Sequence, residues 1–327
     1  MMTPLRFEQL YQPEWTELDT LLDALSQRRK ANTLTEAPSG ARAGALYRRA
    51  CEHLALARAR SYPTYMIDRL DDLTARGHQL IYQQREFGVE RLRRLVSIDF
   101  PSAVRSHGSY VAAAAGLFLL PAIVIGLIVF RQPDMILSVV APDNVSDFEA
   151  MYSPSAESIG RTRDAGTDWT MFGYYIRNNV SVAFQCFAGG LFAGLGTLFF
   201  LVYNGAFSGS LAGYLTAQGL SSTFYAFIAT HSAFELTAIV IAGGAGLRIG
   251  HALVSPGRLT RRQSLVKASR EAMVLVYGVT CMLLIAAALE AFWSSASWIG
   301  PGAKYGVAAV CWISVFGYFV LQGRHAD

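Results

Sequence analysis

The stretch from residue 109 to residue 130 contains 22 consecutive residues without a charged side chain. A helix of that length measures about 33 Å, which is enough to cross the ~30 Å hydrocarbon core of a bilayer. Further apolar stretches follow after residue 178, and hydrophobic residues make up 52% of the 327-residue chain. This composition is typical of membrane proteins. The sequence therefore predicts an all-α polytopic membrane helix bundle.

The distribution of basic residues predicts the orientation of this bundle. The apolar spans are expected at about 109–130, 179–203, 221–250, 272–293 and 304–321. Residues 251–270 carry five Lys or Arg and no acid, so the positive-inside rule places them in the cytoplasm with the Arg-rich region before the first span. An even number of crossings must separate the two, and residues 205–220 supply the missing one as a short span or a re-entrant helix. The prediction is about six crossings, or five plus a re-entrant helix, in the cytoplasmic (inner) membrane with both termini cytoplasmic.

Two polar regions flank the first span. Residues 1–108 hold 16 Lys or Arg and 13 Asp or Glu, with apolar residues at helical spacing, which predicts a cytoplasmic helical domain with helices near 13–30, 41–60 and 63–96. The basic end of the third helix, residues 91–96, suits either a membrane surface or a solvated helix end. Residues 131–177 hold four basic and seven acidic residues and are expected to form an extracytoplasmic loop with one short amphipathic helix. Residues 178–327 form the remaining bundle.

Four of the ionisable residues inside the predicted spans are candidate site residues. His231 and Glu235 are four residues apart and share a helix face. They are interpreted as a hydrogen-bonded packing pair or as a proton- or ion-handling site. A metal or catalytic site is not expected, because two ligands are too few and a second histidine one turn on is absent. Glu290 either reaches headgroup level or turns inward to join Glu235 or Arg248, and Arg248 is otherwise expected to extend to the cytoplasmic surface.

Small and amide side chains form a second set of candidates. Asn178, Asn179 and Asn204 are expected to cap helix ends or to line a cavity. Small residues spaced by four permit close helix contacts or a homodimer interface. These predicted packing positions are Gly190, Gly194, Gly205, Gly209, Gly213, Ala242, Gly246 and Gly250.

Several classes of function are disfavoured by the motifs. The sequence contains no P-loop, Rossmann fingerprint or nucleophile elbow, so neither an enzyme nor a cofactor is expected. The four cysteines are far apart and match no disulfide or zinc spacing. The N-terminal domain is nearly charge-balanced, which argues against nucleic-acid binding.

With these elements in order, the second half of the chain resembles the stage II sporulation protein M family. The residues that carry the resemblance are Tyr175-Ile-Arg-Asn-Asn179, Phe187-Ala-Gly-Gly190, Gly194-Leu-Gly-Thr197, Asn204-Gly205, His231 with Glu235-Leu236, Ile241-Ala-Gly-Gly-Ala-Gly-Leu-Arg-Ile-Gly250 and Glu290-Ala-Phe292. Stretches of the N-terminal domain are similar to the helical region that precedes the spans in that family. Where family members often have Pro-His-Gly, this chain has Thr230-His231-Ser232, so a kink at the histidine is not implied.

The resemblance implies a function that does not involve catalysis. The namesake of the family is associated with two peptidoglycan-degrading proteins, stage II sporulation proteins D and P, and holds them at the membrane. By this analogy we expect a non-enzymatic scaffold of an envelope complex, with membrane lipids around it. Its protein partners are expected on the cytoplasmic helices and the outer loop. The alternative is a proton- or ion-coupled transporter or channel that uses His231 and Glu235.

Overall fold

The computed structural model describes residues 3–31, 40–81, 89–156, 158–161 and 167–324. The chain divides into two compact units, Met1–Gly88 and Val89–Asp327. Within the described ranges both units are built from helices, and extended pairing is limited to a single bridge between Ser158 and Ala296. The predicted all-α class is confirmed.

The N-terminal unit is a three-helix arrangement. Its helices are α1 (Pro4–Ala31), α2 (Gly40–Ala59) and α3 (Thr64–Ile81). The apolar faces enclose large side chains that include Trp15, Leu18, Leu22, Met66 and Leu70, each at most 1% exposed. The third helix was expected to continue to residue 96. The structure describes this helix as far as Ile81 and the chain is helical again from Val89, but residues 82–88, which would test the prediction, lie outside the described ranges.

The second unit contains nine α-helices among its described residues. They are α4 (Val89–Arg94), α5 (Phe100–Ser106), α6 (Gly108–Arg131), α7 (Pro142–Tyr152), α8 (Asp168–Ala188), α9 (Leu195–Ala217), α10 (Ser221–Val254), α11 (Arg261–Ala288) and α12 (Pro301–Leu321). A π-helical segment, Leu289–Ser294, extends α11. Five helices are long and apolar enough to cross a membrane: α6, α9, α10, α11 with its extension, and α12.

The predicted span over residues 179–203 is wrong. The chain leaves the helix after Ala188 and resumes it at Leu195, so α8 and α9 form a hairpin. Gly194 at the turn has φ +85°, a left-handed conformation that glycine adopts without strain. Most of residues 205–220 consequently belongs to the 23-residue helix α9, one of the five candidate spans, and not to a separate short element.

Small residues allow the helix backbones to meet directly. Gly205, Gly209 and Gly213 of α9 lie against the carbonyl groups of Phe118, Ala122 and Gly126 of α6, so the two helices run parallel in close contact. A Cβ atom at any of the three glycines would collide with the backbone of α6. The two helix backbones therefore approach each other as closely as in other membrane-helix contacts made by small residues.

The α8–α9 turn packs on α10 by the same means. Gly190 meets the backbone of Gly246, and Gly194 meets Gly250. Ala242, one turn before Gly246, is buried in the main core of this unit. The turn therefore lies near the C-terminal end of α10.

The contacts of α10 define two ends of this unit. Arg248 pairs with Glu271 of α11, and His231 meets Ser294 beyond the other end of α11, so α10 and α11 are antiparallel. We call the end that holds the α10–α11 connection, residues 255–260, the basic end. The opposite end, covered by α7 and residues 132–141, is called the loop end. Its apolar cluster includes Ile136, Tyr152, Leu215 and Phe227.

Candidate functional site

Three ionisable side chains converge in the half of the unit nearer the loop end. His231 and Glu235 come from successive turns of α10, and Glu290 comes from the π-helical extension of α11. One ligand-type atom from each residue lies within 4.8 Å of the other two. We call this group the acidic triad.

The histidine of the triad is held by a neighbouring hydroxyl group. His231 is 4% exposed, and its Nδ1 lies 3.0 Å from Oγ of Ser294. The ring of Phe227 packs edge-on at a centroid distance of 5.1 Å. Nε2 points toward the carboxylate of Glu235, with a separation of 3.9 Å to Oε2. That distance is too long for a hydrogen bond. Nε2 therefore lies near a carboxylate but has no hydrogen-bond partner in the described part of the chain.

The two carboxylates of the triad share one polar pocket. Oε2 of Glu290 accepts a hydrogen bond of 3.4 Å from Nδ2 of Asn179, whose Oδ1 accepts one of 3.0 Å from Asn178. The Glu235 side chain is 20% exposed and lies beside the histidine. Among the described residues, neither acid has a Lys or Arg nitrogen within 4.0 Å.

Two buried cations lie close to the triad but are occupied elsewhere. Arg161 donates to Asp168 at 2.6 Å, to Ser295 Oγ at 2.8 Å and to the carbonyl of Ala291. Lys304, 1% exposed, donates through Nζ to the carbonyl of Ser294 at 2.7 Å. Both cations therefore donate hydrogen bonds to the chain around residues 291–295, and neither forms an ion pair with a triad carboxylate.

A buried tyrosine from the loop end lies near the triad. Tyr152 at the end of α7 is 6% exposed and packs edge-on against Phe224 and Phe227. Burial raises the pKa of the Tyr152 phenol well above its ordinary value, and the Glu290 carboxylate adds to the shift. The phenol therefore stays protonated at physiological pH.

The direction of Glu290 depends on a local change of helix type. Leu289–Ser294 is π-helical, and single π turns inside α-helices occur frequently at functional sites because they re-aim side chains. In this segment the carbonyl of Ala291 accepts hydrogen bonds from the side chains of both Arg161 and Ser295. The same turn presents Glu290 and Ser294 to α10.

Arg248 does not join the triad, although the sequence left that arrangement open. It lies 13 residues beyond Glu235 on α10, or about 20 Å along the helix, and pairs with Glu271 at 3.0 Å. The ion pair belongs to the basic end, where His107 also approaches Glu271 at 3.8 Å.

The three asparagines are not helix caps. Asn178 and Asn179 lie inside α8, whose N-cap is Thr167. Asn179 instead contacts Glu290. Asn204 lies inside α9, where its amide donates to the carbonyl of Phe200 at 2.7 Å. The cap interpretation failed because α8 begins eleven residues before Asn179.

Three neighbours of the triad were missed by the sequence analysis. Ser294 and Arg161 gave no signal, since one is a serine beside an apolar run and the other lies in a polar loop. Lys304 carried a usable signal, because a lysine in an otherwise apolar span needs an internal partner or an interface.

Comparison with known families identifies the membrane unit. Residues 114–295 match the family Stage II sporulation protein M. Residues 5–83, within the range of the N-terminal unit, match a separate family described as Domain of unknown function (DUF8413). No curated protein and no solved structure matches the chain. With more than half of its residues covered by the first match, the chain is a multi-pass membrane protein that belongs to the stage II sporulation protein M family.

Proposed function

We propose that the membrane unit binds a cation at the acidic triad and moves it across the membrane. The observation that supports this proposal is the pair of carboxylates, Glu235 and Glu290, which share a site inside the helix bundle without a Lys or Arg partner among the described residues. Ionised side chains within a bilayer are expensive, and where they occur they commonly mark the path of an ion.

The electrostatics favour a bound cation over a packing role. A buried carboxylate is stabilised only when an opposite charge and hydrogen bonds replace its lost hydration. Glu290 has one long hydrogen bond from Asn179, and Glu235 has no hydrogen-bond donor or Lys or Arg partner among the described residues, with His231 Nε2 at 3.9 Å. When both carboxylates are ionised they repel each other, and a cation bound between them would then stabilise the folded bundle.

The surrounding helices also resemble those of transporters. Ion sites in transport proteins commonly lie where helices are interrupted. Here Glu290 lies in a π-helical segment, and its partner Asn179 lies on α8, the first arm of the broken α8–α9 hairpin.

Flux measurements on the full chain test this proposal. The protein is reconstituted in liposomes that contain indicators for protons and for divalent cations, and a gradient of each cation is imposed. We expect flux above that of empty liposomes for at least one cation, and its loss in Glu235→Gln and Glu290→Gln. Glu271→Gln is the matched control, because Glu271 lies on the same helix as Glu290 but pairs with Arg248 at the basic end. Wild-type liposomes that leak no faster than empty ones would contradict the proposal.

A second candidate function, scaffolding of an envelope complex, is favoured by the N-terminal unit. This unit has its own core and matches a family model separate from that of the bundle. An added domain on a membrane anchor is suited to holding a protein partner. In this proposal the N-terminal unit and both termini are cytoplasmic, the chain resides in the inner membrane, and the loop end offers a second surface.

Affinity capture separates the two functions. Full-length protein and a variant lacking residues 1–88 are cross-linked in cells and purified from the membrane. The scaffold proposal expects at least one partner to be recovered with the full chain and lost with the variant. An identical set of partners for both would contradict it and leave cation transport unaffected.

A further inference from the structure

We propose that the acidic triad of His231, Glu235 and Glu290 is a binding site for a divalent transition metal of the Zn²⁺ and Mn²⁺ class. The proposal names the cation for the transport function above and rests on that function for its physiological role. The binding itself rests on the geometry of the three side chains.

The ligand atoms are close to the spacing that a metal requires. One nitrogen and two carboxylate oxygens lie within 4.8 Å of one another, and Nε2 of His231 is 3.9 Å from Oε2 of Glu235. Bonds of about 2.1 Å in tetrahedral geometry place ligand atoms about 3.4 Å apart. The required contraction is about 0.5 Å between His231 and Glu235 and at most about 1.4 Å for the other pairs, within reach of rotation about the glutamate side-chain bonds.

The orientation of the histidine is that of a metal ligand. Metal-bound histidines almost always use the second ring nitrogen for a hydrogen bond that fixes the ring. Here Nδ1 is 3.0 Å from Ser294 Oγ, and Ser294 is fully buried. In the tautomer that donates from Nδ1, the lone pair of Nε2 points at the carboxylates. Nε2 belongs to a side chain that is 4% exposed, and it forms no hydrogen bond with the described residues.

The charges around the triad call for a dication. When both are ionised, Glu235 and Glu290 bring two negative charges, whereas the buried cations Arg161 and Lys304 are bonded to Asp168 and to the carbonyl of Ser294. A dication between the two carboxylates cancels their charges within the bundle, where an unbalanced charge is costly. Asn179 adds a hydrogen bond that orients Glu290.

The ligand types select among dications. Mg²⁺ and Ca²⁺ prefer sites built from oxygen alone, whereas imidazole together with carboxylates suits Zn²⁺ and related first-row ions. Three protein ligands leave a fourth position open to water or to an exchanging ligand. An open position fits a site from which the ion leaves again.

The test is metal titration of the purified, tag-free full chain after removal of metals with a chelator. Co²⁺ is added first, because its visible absorption reports coordination by nitrogen and oxygen, and Zn²⁺ is then titrated in a calorimeter. We expect one ion per chain, displacement of Co²⁺ by Zn²⁺ and no competition by Mg²⁺. Glu290→Gln and His231→Gln should each weaken binding by about 100-fold or more, and Ser294→Ala by about 10-fold to 100-fold.

The control uses the other histidine–glutamate pair of the bundle. His107 and Glu271 are separated by 3.8 Å, nearly the same distance as His231 and Glu235, but Glu271 already pairs with Arg248. Glu271→Gln should therefore leave metal affinity unchanged. Monodispersity and the thermal transition of each variant are measured first, and Glu290→Asp replaces Glu290→Gln if the latter misfolds.

The outcomes distinguish this proposal from the transport proposal. Absence of saturable Co²⁺ and Zn²⁺ binding, or binding that Glu290→Gln leaves intact, overturns the metal site, and transport of protons alone then remains open. Stoichiometric binding that the triad variants abolish supports the metal site. If no flux accompanies such binding, the transport proposal fails while the metal site stands.

Discussion

Among the described residues, each unit of the chain buries one histidine almost completely, and the surroundings of the two differ. In the N-terminal unit His53 is 6% exposed, and its Nδ1 accepts a hydrogen bond of 3.1 Å from Nε1 of Trp15, with aromatic rings around it. In the membrane unit His231 is 4% exposed, but its second nitrogen faces carboxylates. Burial alone therefore does not mark a site. What distinguishes His231 is the pair of acids that its unbonded nitrogen faces.

The two units also differ in the size of the residues at their helix contacts. The N-terminal core is filled by large side chains such as Trp15, Met66 and Leu70. In the membrane unit helix backbones approach each other closely at glycines, as Gly209 does against Ala122 and Gly190 against Gly246. Water drives large apolar groups together, whereas a bilayer offers no such force between helices and favours close backbone contact.

The largest effect is expected from a side chain introduced at the glycine contact. Gly246→Leu places atoms where α10 meets backbone carbonyls of the α8–α9 hairpin, which cannot move aside as a side chain would. We expect a loss on the order of 5 kcal/mol and failure to obtain a monodisperse protein in detergent. Gly116→Leu on α6 is the control, since nothing lies within 4 Å of a Cβ at that position. Equal behaviour of the two variants in size-exclusion chromatography and thermal unfolding would contradict the packing argument.

A cavity in the N-terminal core tests whether the two units unfold separately. Leu70→Ala removes a fully buried side chain and should destabilise this unit by about 2–5 kcal/mol. Hydrogen exchange followed by mass spectrometry should then be faster in α1–α3 and unchanged in α9–α12. Leu10→Ala, at a position 55% exposed, should change neither region. Faster exchange throughout the chain would show that the units share one unfolding transition.

The parts of this fold that hydropathy controls were predictable from sequence. The ends of α6, α10 and α12 lie within a few residues of the predicted spans, because charged and polar residues bound long apolar runs. The break between α8 and α9 was not predictable, since Gly189, Gly190 and Gly194 inside an apolar run indicate a helix contact as readily as a turn.

The site was predictable only in part, for a geometric reason. His231 and Glu235 lie on one α-helix, so helical spacing places them together. Glu290 lies in a π-helical turn, and the periodicity of an α-helix does not give its direction. Because Arg248 and Glu235 lie about 20 Å apart along α10, Glu290 could join only one of them, and the sequence did not indicate which.

A smaller effect is expected when the hydrogen bond of the N-terminal histidine is removed. Trp15→Phe deletes the donor and leaves Nδ1 of His53 buried without it, which should cost about 1–3 kcal/mol in addition to the lost ring volume. A double-mutant cycle with His53→Phe isolates the hydrogen bond from the volume change. The measurement is the urea midpoint of α1–α3 followed by hydrogen exchange. A coupling energy of zero would show that the contact contributes nothing, whereas Trp169→Phe, 73% exposed, should have no effect on this unit.

The smallest effect expected is a dependence of the N-terminal unit on pH. Burial lowers the pKa of His53 below its ordinary value of about 6.5, and the nearby acids Glu14 and Glu52 offset this only in part. Because the unfolded chain binds the proton more tightly, the contribution of neutral His53 to stability is complete above pH 6.5. It is lost as the pH falls below 6.5, by at most about 1.4 kcal/mol per unit of pH. Protonation would also abolish acceptance of the Trp15 hydrogen bond.

With the five tryptophans fluorinated, the ¹⁹F resonance of Trp15 reports urea unfolding of this unit at each pH. His53→Gln keeps an acceptor and does not titrate, so its midpoint should fall less steeply between pH 7 and pH 5, roughly the range over which a neutral histidine becomes charged. Parallel curves for the two proteins would show that Nδ1 of His53 does not control the acid sensitivity of this unit.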